Sequence, residues 1–412
     1  MTRRVGIAIV GGGIWGMSTA YHLVRAGQTD VCVLERNREL FKETTSQAAG
    51  LVGQIRTTPL MREAVRYAIE LFSGFAQETG HDPGFRQVGS LLIALTPERM
   101  ESYEQQVKHA NKNDVEAEFV DHAEMSRLAP ALNVSHVLGG YFVPKDGYLD
   151  PVQCARAFGA AAKDQDVEIR TGTRAIGLTV RDGRVVGVET DHGFVEAGQV
   201  IVTVGPWTGF FVAKTTGFVP AMQPIRHQRA TTVPVAGIPD YHPVVRATDA
   251  GCYVRPEKGG YLYGFFEPHP VSYDQEAVSP EFKTEDIEPP VEIMAEARVR
   301  LAPIFPVLAE LEVAEYKRGL TTFAPDGNYL VGLVPEIENL YVATGCAALG
   351  IAGSPAVGRW LANWVTKGDP GDDLAQVDLE RFGARASDRE WIRRTSERFY
   401  GAYYSIESMS VT

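Results

Sequence analysis

Residues 5–36 constrain the fold more than any other stretch of the chain. The run Ile7-Ala8-Ile9-Val10 is short, apolar and largely β-branched, as in a strand buried on both faces of a parallel sheet. Gly11, Gly13 and Gly16 follow at the spacing G-x-G-x-x-G. The first glycine permits a sharp turn, the second lets the backbone approach a pyrophosphate, and the third lets a helix pack closely on the strand. We therefore expect a helix through residues 17–26 whose N-terminus faces phosphates.

An acidic residue completes this motif. Val31-Cys32-Val33-Leu34 predicts a second strand, and Glu35 stands at its end, about twenty residues after the turn. An acid in this position accepts hydrogen bonds from the ribose of a dinucleotide. It argues against a cofactor with a 2′-phosphate, although Arg36 beside it weakens that argument. The alternative is a glycine-rich turn without a ligand, which the strand, helix and acid together disfavour.

Length and composition narrow the class of protein. The 412 residues can bury a large core, and we expect two intertwined domains. The net charge of −12 disfavours nucleic acid and anionic membranes as partners. No apolar run has the length of a membrane span, and the first strand explains the apolar N-terminal residues better than a signal peptide does. Because the four cysteines show no C-x-x-C spacing, we expect a reduced, cytoplasmic protein without a metal site.

The segment after the second strand predicts a ligand-binding loop. Residues 44–50 are small, polar and glycine-ended, so they can offer hydroxyl and N–H groups to a ligand. An ordinary surface loop is the alternative. Arg56 is the nearest cation. Apolar residues at helical spacing then predict an amphipathic helix over residues 62–79.

The middle of the chain predicts short strands and helices. We expect strands at residues 89–95 and 141–143 and helices at residues 97–111, 122–128 and 151–162. Asp182-Gly183 and His192-Gly193 predict the turns of a meander with strands at 175–180, 185–190 and 194–197, after which residues 200–205 return as a core strand. Residues 223–266 predict further strands, and most of their aromatic side chains are expected to pack within the sheet: Tyr253, Tyr261, Tyr263, Phe265 and Phe266.

The C-terminal part predicts a second strand, glycine loop and helix. A helix at residues 292–302 precedes a strand at 340–345, and Gly350, Gly353 and Gly358 lead into a helix at residues 356–365. This unit lies far from residues 5–36 in sequence. We therefore expect one ligand-binding domain assembled from both ends of the chain.

These motifs together resemble the flavoprotein amine oxidoreductases related to D-amino acid oxidase. Within them the chain is most similar to the flavin module of sarcosine and dimethylglycine dehydrogenases. The resemblance covers nearly the whole chain and is carried by five segments, residues 48–56, 146–151, 224–228, 322–326 and 391–400.

The resemblance implies a fold and a cofactor. It implies an α/β fold with a Rossmann-like FAD-binding domain, made of residues 1–85, 145–218 and 319–412. An α+β substrate domain with a mixed or antiparallel sheet would comprise residues 86–144 and 219–318. The predicted cofactor contacts are Gly11, Gly13, Ile14, Trp15, Gly16, Glu35, Arg36, Thr44, Thr45, Ser46, Gln47, Ala49, Gly50, Leu51, Ala175, Gly205, Trp207, Gly345, Leu349, Gly350 and Ile351.

The chain departs from these relatives in three ways. Gln47 stands where the dehydrogenases hold a flavin-linked histidine, and Gly319 stands about where the monomeric sarcosine oxidases hold a flavin-linked cysteine, so we expect noncovalent FAD. Cys346, near the predicted flavin loop, is expected to be a buried, inert thiol. The folate-binding domain of the dehydrogenases does not follow residue 404, so the expected product is free formaldehyde.

The implied reaction is oxidation of an N-methyl amine to an iminium that water hydrolyses, with the flavin accepting a hydride. Only the neutral amine has a lone pair, so the pocket must favour its deprotonation. A substrate carboxylate needs a cation, and Arg56 is our first candidate, with Tyr253 and Arg255 as second candidates. We expect His227 near the flavin. The alternatives are a solvated surface arginine and a satisfied core histidine.

Other functions remain open on the sequence. The same fold could deaminate a primary or cyclic amino acid, oxidise a 2-hydroxy acid, or serve as a flavin-binding subunit without turnover. The expected partners are a small-molecule amine and either oxygen or an electron-transfer protein as acceptor. Assembly of identical chains is open as well.

Overall fold

The protein is described by a computed structural model that covers residues 3–239 and 242–407. Its strands are β1 Arg3–Val10, β2 Val31–Leu34, β3 Leu51–Val52, β4 Ser90–Ala94, β5 Glu118–Val120, β6 Gly139–Val143, β7 Gly147–Tyr148, β8 Glu168–Arg170, β9 Ala175–Arg181, β10 Arg184–Thr190, β11 Gly193–Val202, β12 Gln223–Thr232, β13 Val244–Ala247, β14 Cys252–Glu257, β15 Gly260–Phe265, β16 Val313–Phe323, β17 Leu330–Leu333 and β18 Leu340–Thr344. Its helices are α1 Ile14–Arg25, α2 Thr44–Gln47, α3 Pro59–Thr79, α4 Pro97–Lys112, α5 His122–Leu128, α6 Pro151–Lys163, α7 Thr208–Thr216, α8 Val291–Leu301, α9 Val307–Glu310, α10 Gly350–Lys367 and α11 Arg389–Gly401.

The first sheet joins both ends of the chain. Its order is β17-β18-β11-β1-β2-β8, and the strands from β18 to β8 run parallel. β9 and β10 extend it as an antiparallel meander from β11. The strand from the C-terminal region, β18, therefore lies beside β11 and one strand away from β1. This arrangement confirms the predicted α/β domain assembled from the two ends of the chain.

The first sheet is buried on both faces, as its apolar sequence predicts. Ile7 and Ile9 of β1 point towards the helices α1, α3, α6 and α10. Ala8 and Val10, which alternate with them, point towards the meander. No helix in the described part of the chain is both long enough and apolar enough to cross a bilayer.

One face of the second sheet packs into a hydrophobic core, and the other face points towards the carboxyl ends of the parallel strands of the first sheet. Its order is β16-β12-β15-β14-β13-β4-β6-β5, and β13 and β4 form its parallel pair. Val245, Val254 and Tyr263 pack on helix α8. The residues that alternate with them along β13 and β14, such as Arg246 and Tyr253, project from the opposite face.

Three predictions of local structure are wrong. Residues 194–197 and 200–205 do not form two strands, because β11 runs unbroken from Gly193 to Val202 and pairs with β1 along its length. Helix α10 begins at Gly350, so Gly353 and Gly358 lie inside it. A Cβ at Gly353 would collide with the Tyr329 hydroxyl, so this glycine serves close packing rather than a loop. Residues 44–47 form the short helix α2 instead of a loop.

Candidate active site

One large cavity lies at the carboxyl ends of the parallel strands. Val10, Leu34 and Thr203, at or just beyond the ends of β1, β2 and β11, form one wall, and His227 and Tyr253 of the second sheet form the opposite wall. The cavity holds about 1910 Å³ of space not filled by atoms, its open mouth included. This position, at the carboxyl ends of the parallel strands, suits a dinucleotide.

The glycine turn has the geometry that a pyrophosphate site needs. Gly11 has a φ of +107°, and a Cβ there would lie 2.7 Å from the Thr203 carbonyl oxygen. A Cβ on Gly16 would collide with the Gly11 carbonyl oxygen, so α1 packs against the turn only because Gly16 has no side chain. Gly13 caps α1 without a side-chain hydrogen bond. N–H groups in the first turn of α1 are thereby left for an anion.

Glu35 lies at the end of β2, on the cavity wall. Its carboxylate accepts hydrogen bonds from the backbone N–H groups of Gly12 at 2.9 Å and Asn37 at 2.8 Å. Burial raises the pKa of this carboxyl, and the two backbone hydrogen bonds counteract the shift in part. The two hydrogen bonds hold the side chain in place and leave further lone pairs on its oxygens as acceptors.

Arg36 is engaged within the protein. Its guanidinium lies 4.0 Å from the centre of the Trp207 ring and 2.7 Å from a carboxylate oxygen of Glu43. It also donates to the carbonyl oxygens of Pro280 and Phe282. With its charge paired and its plane stacked, Arg36 is a poor ligand for a 2′-phosphate. Trp207 and Arg36 together line the end of the cavity near Glu35.

A second helix N-terminus meets the first at the cavity. The Trp15 indole N–H of α1 donates to the Gly350 carbonyl oxygen of α10 at 2.7 Å. Thr45 of α2 accepts a hydrogen bond from the Ile14 N–H at 3.1 Å. These contacts hold α1, α2 and α10 together around one ligand volume, although the three helices lie far apart in sequence.

Arg56 lies at the other end of the cavity with most of its hydrogen-bonding capacity unused. Its Nη1 donates to the carbonyl oxygen of neighbouring Ile55 at 2.8 Å, and its buried Nε has no partner in the described structure. No described residue places a carboxylate oxygen within 4.0 Å of the Arg56 guanidinium, so Arg56 forms no ion pair with them. An arginine in this condition can bind a carboxylate without first breaking a salt bridge.

His227 and Tyr253 form part of the wall near Arg56. The two ring nitrogens of His227 lie 2.8 Å from the Tyr400 hydroxyl and 3.1 Å from the Tyr253 hydroxyl. Burial, assisted by Arg229, lowers the pKa of His227 to about 3. Burial also raises the pKa of both tyrosines. All three groups are therefore uncharged at neutral pH.

The sequence did not single out several residues of this wall. Arg246 lies opposite Tyr253 in the β13–β14 pair and lines the cavity, as do Tyr403 and Tyr404 beyond α11. The Phe266 ring stacks on Tyr403 at 4.0 Å between ring centres. It also lies 4.4 Å from the His227 ring, so these rings form a continuous aromatic surface. In the sequence, the only indication of this wall was that Arg246 and Tyr253 lie in predicted strands, where every second side chain points to the same face.

The structure places most, but not all, of the predicted site residues on the cavity. Of the predicted cofactor contacts, Gly16, Ser46 and Gly345 do not line it. Arg255 is buried elsewhere, where it pairs with Glu257 at 2.6 Å. The expectation of a buried Cys346 is wrong, because this thiol is half-buried on the cavity wall, 3.2 Å from the Thr321 hydroxyl.

Comparison with known proteins agrees with this geometry. The sequence pattern of the DAO family, described as FAD dependent oxidoreductase, matches residues 6–364. The chain belongs to this family of FAD-dependent oxidoreductases.

Its relatives include amine oxidases and dehydrogenases. The chain is 32% identical over 404 residues to 4-methylaminobutanoate oxidase (formaldehyde-forming) of Paenarthrobacter nicotinovorans. The aligned region covers 98% of this chain and 48% of that protein. It is 30% identical over 388 residues to mitochondrial dimethylglycine dehydrogenase of Rattus norvegicus, and this aligned region covers 92% of this chain and 45% of that protein. The chain thus spans about half the length of these relatives. L-proline dehydrogenase from P. horikoshii has the same fold, with a TM-score of 0.82 at 24% identity over 93% of this chain and 98% of that one.

Proposed function

We propose that the cavity binds FAD without a covalent link. Gly11 and Gly13 would approach the pyrophosphate, Glu35 would accept hydrogen bonds from the ribose, and Thr44 and Gly350 would contact the rest of the cofactor. The strongest support for this fit is the cradle at Gly11 and Gly16, which any added side chain would fill or disrupt. Gln47, the last residue of α2, packs against Gly319, and neither residue carries a nucleophile for a flavin bond.

We further propose that the chain catalyses oxidative N-demethylation of a small N-methylated amino acid or a related secondary or tertiary amine. The observation that carries this proposal is Arg56, whose guanidinium forms no salt bridge with any described residue and lies on the same cavity as the glycine cradle. The aromatic surface of Phe266 and Tyr403 supplies an apolar wall for methyl groups. The Paenarthrobacter relative, 4-methylaminobutanoate oxidase (formaldehyde-forming), is named for such an N-methylated amino acid.

Bound FAD would supply the oxidant that removes a hydride equivalent from the carbon next to nitrogen. The protein's own contribution is binding and electrostatics. Arg56 would hold the carboxylate, and Arg56 and Arg246 together would create a positive potential that lowers the pKa of a substrate ammonium. The amine would then bind in its neutral form, which has the lone pair that oxidation requires. Tyr253 and His227, both uncharged, would receive the amine by hydrogen bonding without adding charge.

After oxidation, water would hydrolyse the iminium to formaldehyde and the demethylated amine. We propose formaldehyde as the released product and either oxygen or an electron-transfer protein as the final electron acceptor. All four cysteines are free thiols, in agreement with a reducing compartment such as the cytoplasm.

Anaerobic reduction tests this proposal. The purified protein should be yellow, its visible flavin absorbance should bleach on addition of an N-methylated amino acid, and formaldehyde should form in proportion to flavin reduced. Release of ammonia and a ketoacid from primary or cyclic amino acids would instead indicate deamination. Absence of bleaching with every secondary and tertiary amine would refute the proposal.

A further inference from the structure

A second cavity continues the first beyond Arg56 and Arg246. Both arginines line the two cavities, as do Leu349, Tyr403 and Tyr404, so these residues form a common neck. The second cavity holds about 1190 Å³ of space not filled by atoms, its opening included. Its far side is built from the residues Thr57, Thr58, Met61, Leu92, Asn328 and Phe399.

The register of the second sheet gives the direction of this continuation. Gly264, Tyr253, Arg246 and Leu92 are directly paired neighbours on β15, β14, β13 and β4. A Cβ at Gly264 would collide with the Tyr253 ring, so that ring leans towards β12, which carries His227. Each step across the sheet is about 4.8 Å. The first cavity reaches Arg246 on β13, and the second extends one strand further, to Leu92.

The neck carries two arginines, and the acids around it offset only part of their positive charge. Within residues 3–239 and 242–407, neither Arg56 nor Arg246 has a carboxylate oxygen within 4.0 Å, and Arg246 donates to the Tyr404 hydroxyl at 3.3 Å. Asp146 lines the second cavity and interacts electrostatically with Arg246, which offsets part of this charge, and it also accepts hydrogen bonds from Gln54. The other acid, Asp326, has both carboxylate oxygens bound by Arg381. The neck therefore suits an anion.

The space that runs from Tyr253 across Arg246 to Leu92 is longer than an α-amino acid requires. In an N-methyl α-amino acid the nitrogen and the carboxylate carbon are only about 2.5 Å apart, which is less than one strand spacing. Such a molecule, with its amine at Tyr253 and His227, would leave the second cavity empty. A substrate with several bonds between nitrogen and carboxylate could place its amine in the first cavity and its acid at the neck.

We propose that Arg246 and the second cavity bind the acidic end of an N-methylamino acid whose carboxylate is separated from nitrogen by three or more carbon atoms. This inference rests on the proposed function and names the class of substrate. Arg246 is a specificity residue for chain length in this scheme, whereas Arg56 contributes to binding of short and long acids alike.

The test uses the series CH₃NH(CH₂)ₙCOO⁻ with n from 1 to 5 and the FAD-bound protein. We expect kcat/KM for anaerobic flavin reduction to rise with n and to be highest at n of 3 or more. Arg246→Met should lower kcat/KM for these long acids on the order of 10- to 100-fold, the value of one or two hydrogen bonds to a charged group, and the loss for n = 1 should be much smaller. Arg246→Lys should restore part of the loss.

A second variant tests the cavity without touching Arg246. Thr57 is exposed at the rim of the second cavity, so Thr57→Phe should fill this space with little effect on folding. It should selectively impair the long acids, as Arg246→Met does. Highest activity at n = 1, or an equal loss across the series in both variants, would overturn the inference.

Binding of unreactive alkanoates separates failure of this inference from failure of the proposed function. Calorimetric titration with acetate, butanoate and hexanoate should show tighter binding of the longer acids and loss of that preference in Arg246→Met. If no methylamino acid reduces the flavin but this preference appears, the proposed demethylation is refuted and the role of the second cavity is supported. If the flavin is reduced but neither series depends on chain length, the role of the second cavity is refuted and the proposed demethylation is supported.

Discussion

Replacement of Arg56 by methionine should weaken binding of an acidic amine without unfolding the protein. Methionine keeps the apolar stem of the side chain and removes the guanidinium. Among residues 3–239 and 242–407, this costs only the hydrogen bond to the Ile55 carbonyl oxygen and removes a buried Nε that has no partner there. Loss of one ordinary hydrogen bond is worth about 1 kcal/mol, so the unfolding free energy should change little.

The effect on catalysis should be much larger. Two charge-assisted hydrogen bonds from Arg56 to a carboxylate are worth about 3–6 kcal/mol, since each contributes roughly 1.5–3 kcal/mol. Arg246 remains on the same wall and would compensate in part, so we expect the low end of that range. For sarcosine this corresponds to a loss in kcat/KM on the order of 100-fold. Arg56→Lys, which keeps the charge but not the bidentate geometry, should lose less.

Stopped-flow flavin reduction under anaerobic conditions measures this effect. The matched control is Arg66→Met, which removes an exposed arginine of α3 that pairs with Glu63 and should not alter the kinetics. N-methylpropan-1-amine, which has no carboxylate, serves as the comparison substrate and should lose much less activity in Arg56→Met than sarcosine does. Equal losses for sarcosine and this amine, or no loss for sarcosine, would refute the assignment of Arg56 as the carboxylate clamp.

Three further predictions address the cofactor site and the core. Gly16→Ala should lower the unfolding free energy by about 1–3 kcal/mol and abolish FAD retention, because its Cβ collides with the Gly11 carbonyl oxygen. The control Gly74→Ala lies in an open part of α3 and should stabilise the protein slightly. Urea unfolding and the flavin content of both purified variants measure these effects. Acid precipitation should release all flavin into the supernatant, and flavin retained in the pellet would contradict a noncovalent cofactor. The pKa of His227 is lowered to about 3, below its unfolded value near 6.5, so its contribution to stability is present above pH 6.5 and is lost as pH falls towards 3. In urea unfolding of the FAD-free protein between pH 6 and 4, His227→Gln should therefore reduce the slope of stability against pH by about 1.4 kcal/mol per pH unit, and an unchanged slope would show that His227 is protonated in the folded state.

The sequence alone determined the cofactor-binding half of this protein. Residues 5–36 specify a strand, a turn, a helix, a second strand and an acid, and each of these depends on interactions between residues close in sequence. Gly11 requires a positive φ, Gly16 requires the absence of a side chain, and Glu35 follows directly after a buried strand. Physical demands of this local kind can be inferred from residue type and spacing alone.

The substrate end depends on contacts that local sequence does not encode. Alternation along β14 places Tyr253 and Arg255 on the same face, yet Tyr253 lines the cavity while Arg255 turns to Glu257. Arg246 enters the site because β13 pairs with β14 in a register that sets it opposite Tyr253. Strand register is decided by packing of the whole sheet, and the positions of side chains beyond it are decided by their nearest partners.

The same distinction applies to the ends of the chain. Tyr403 and Phe266 lie far apart in sequence, and their stacked rings meet only because the segment after α11 folds back over the second sheet. The glycines of α10 look like loop residues in the sequence, whereas in the structure they allow Tyr329 and α1 to approach the helix closely. Sequence patterns therefore determine which segments can form and which faces they bury, and the tertiary packing decides which side chains meet at the pocket.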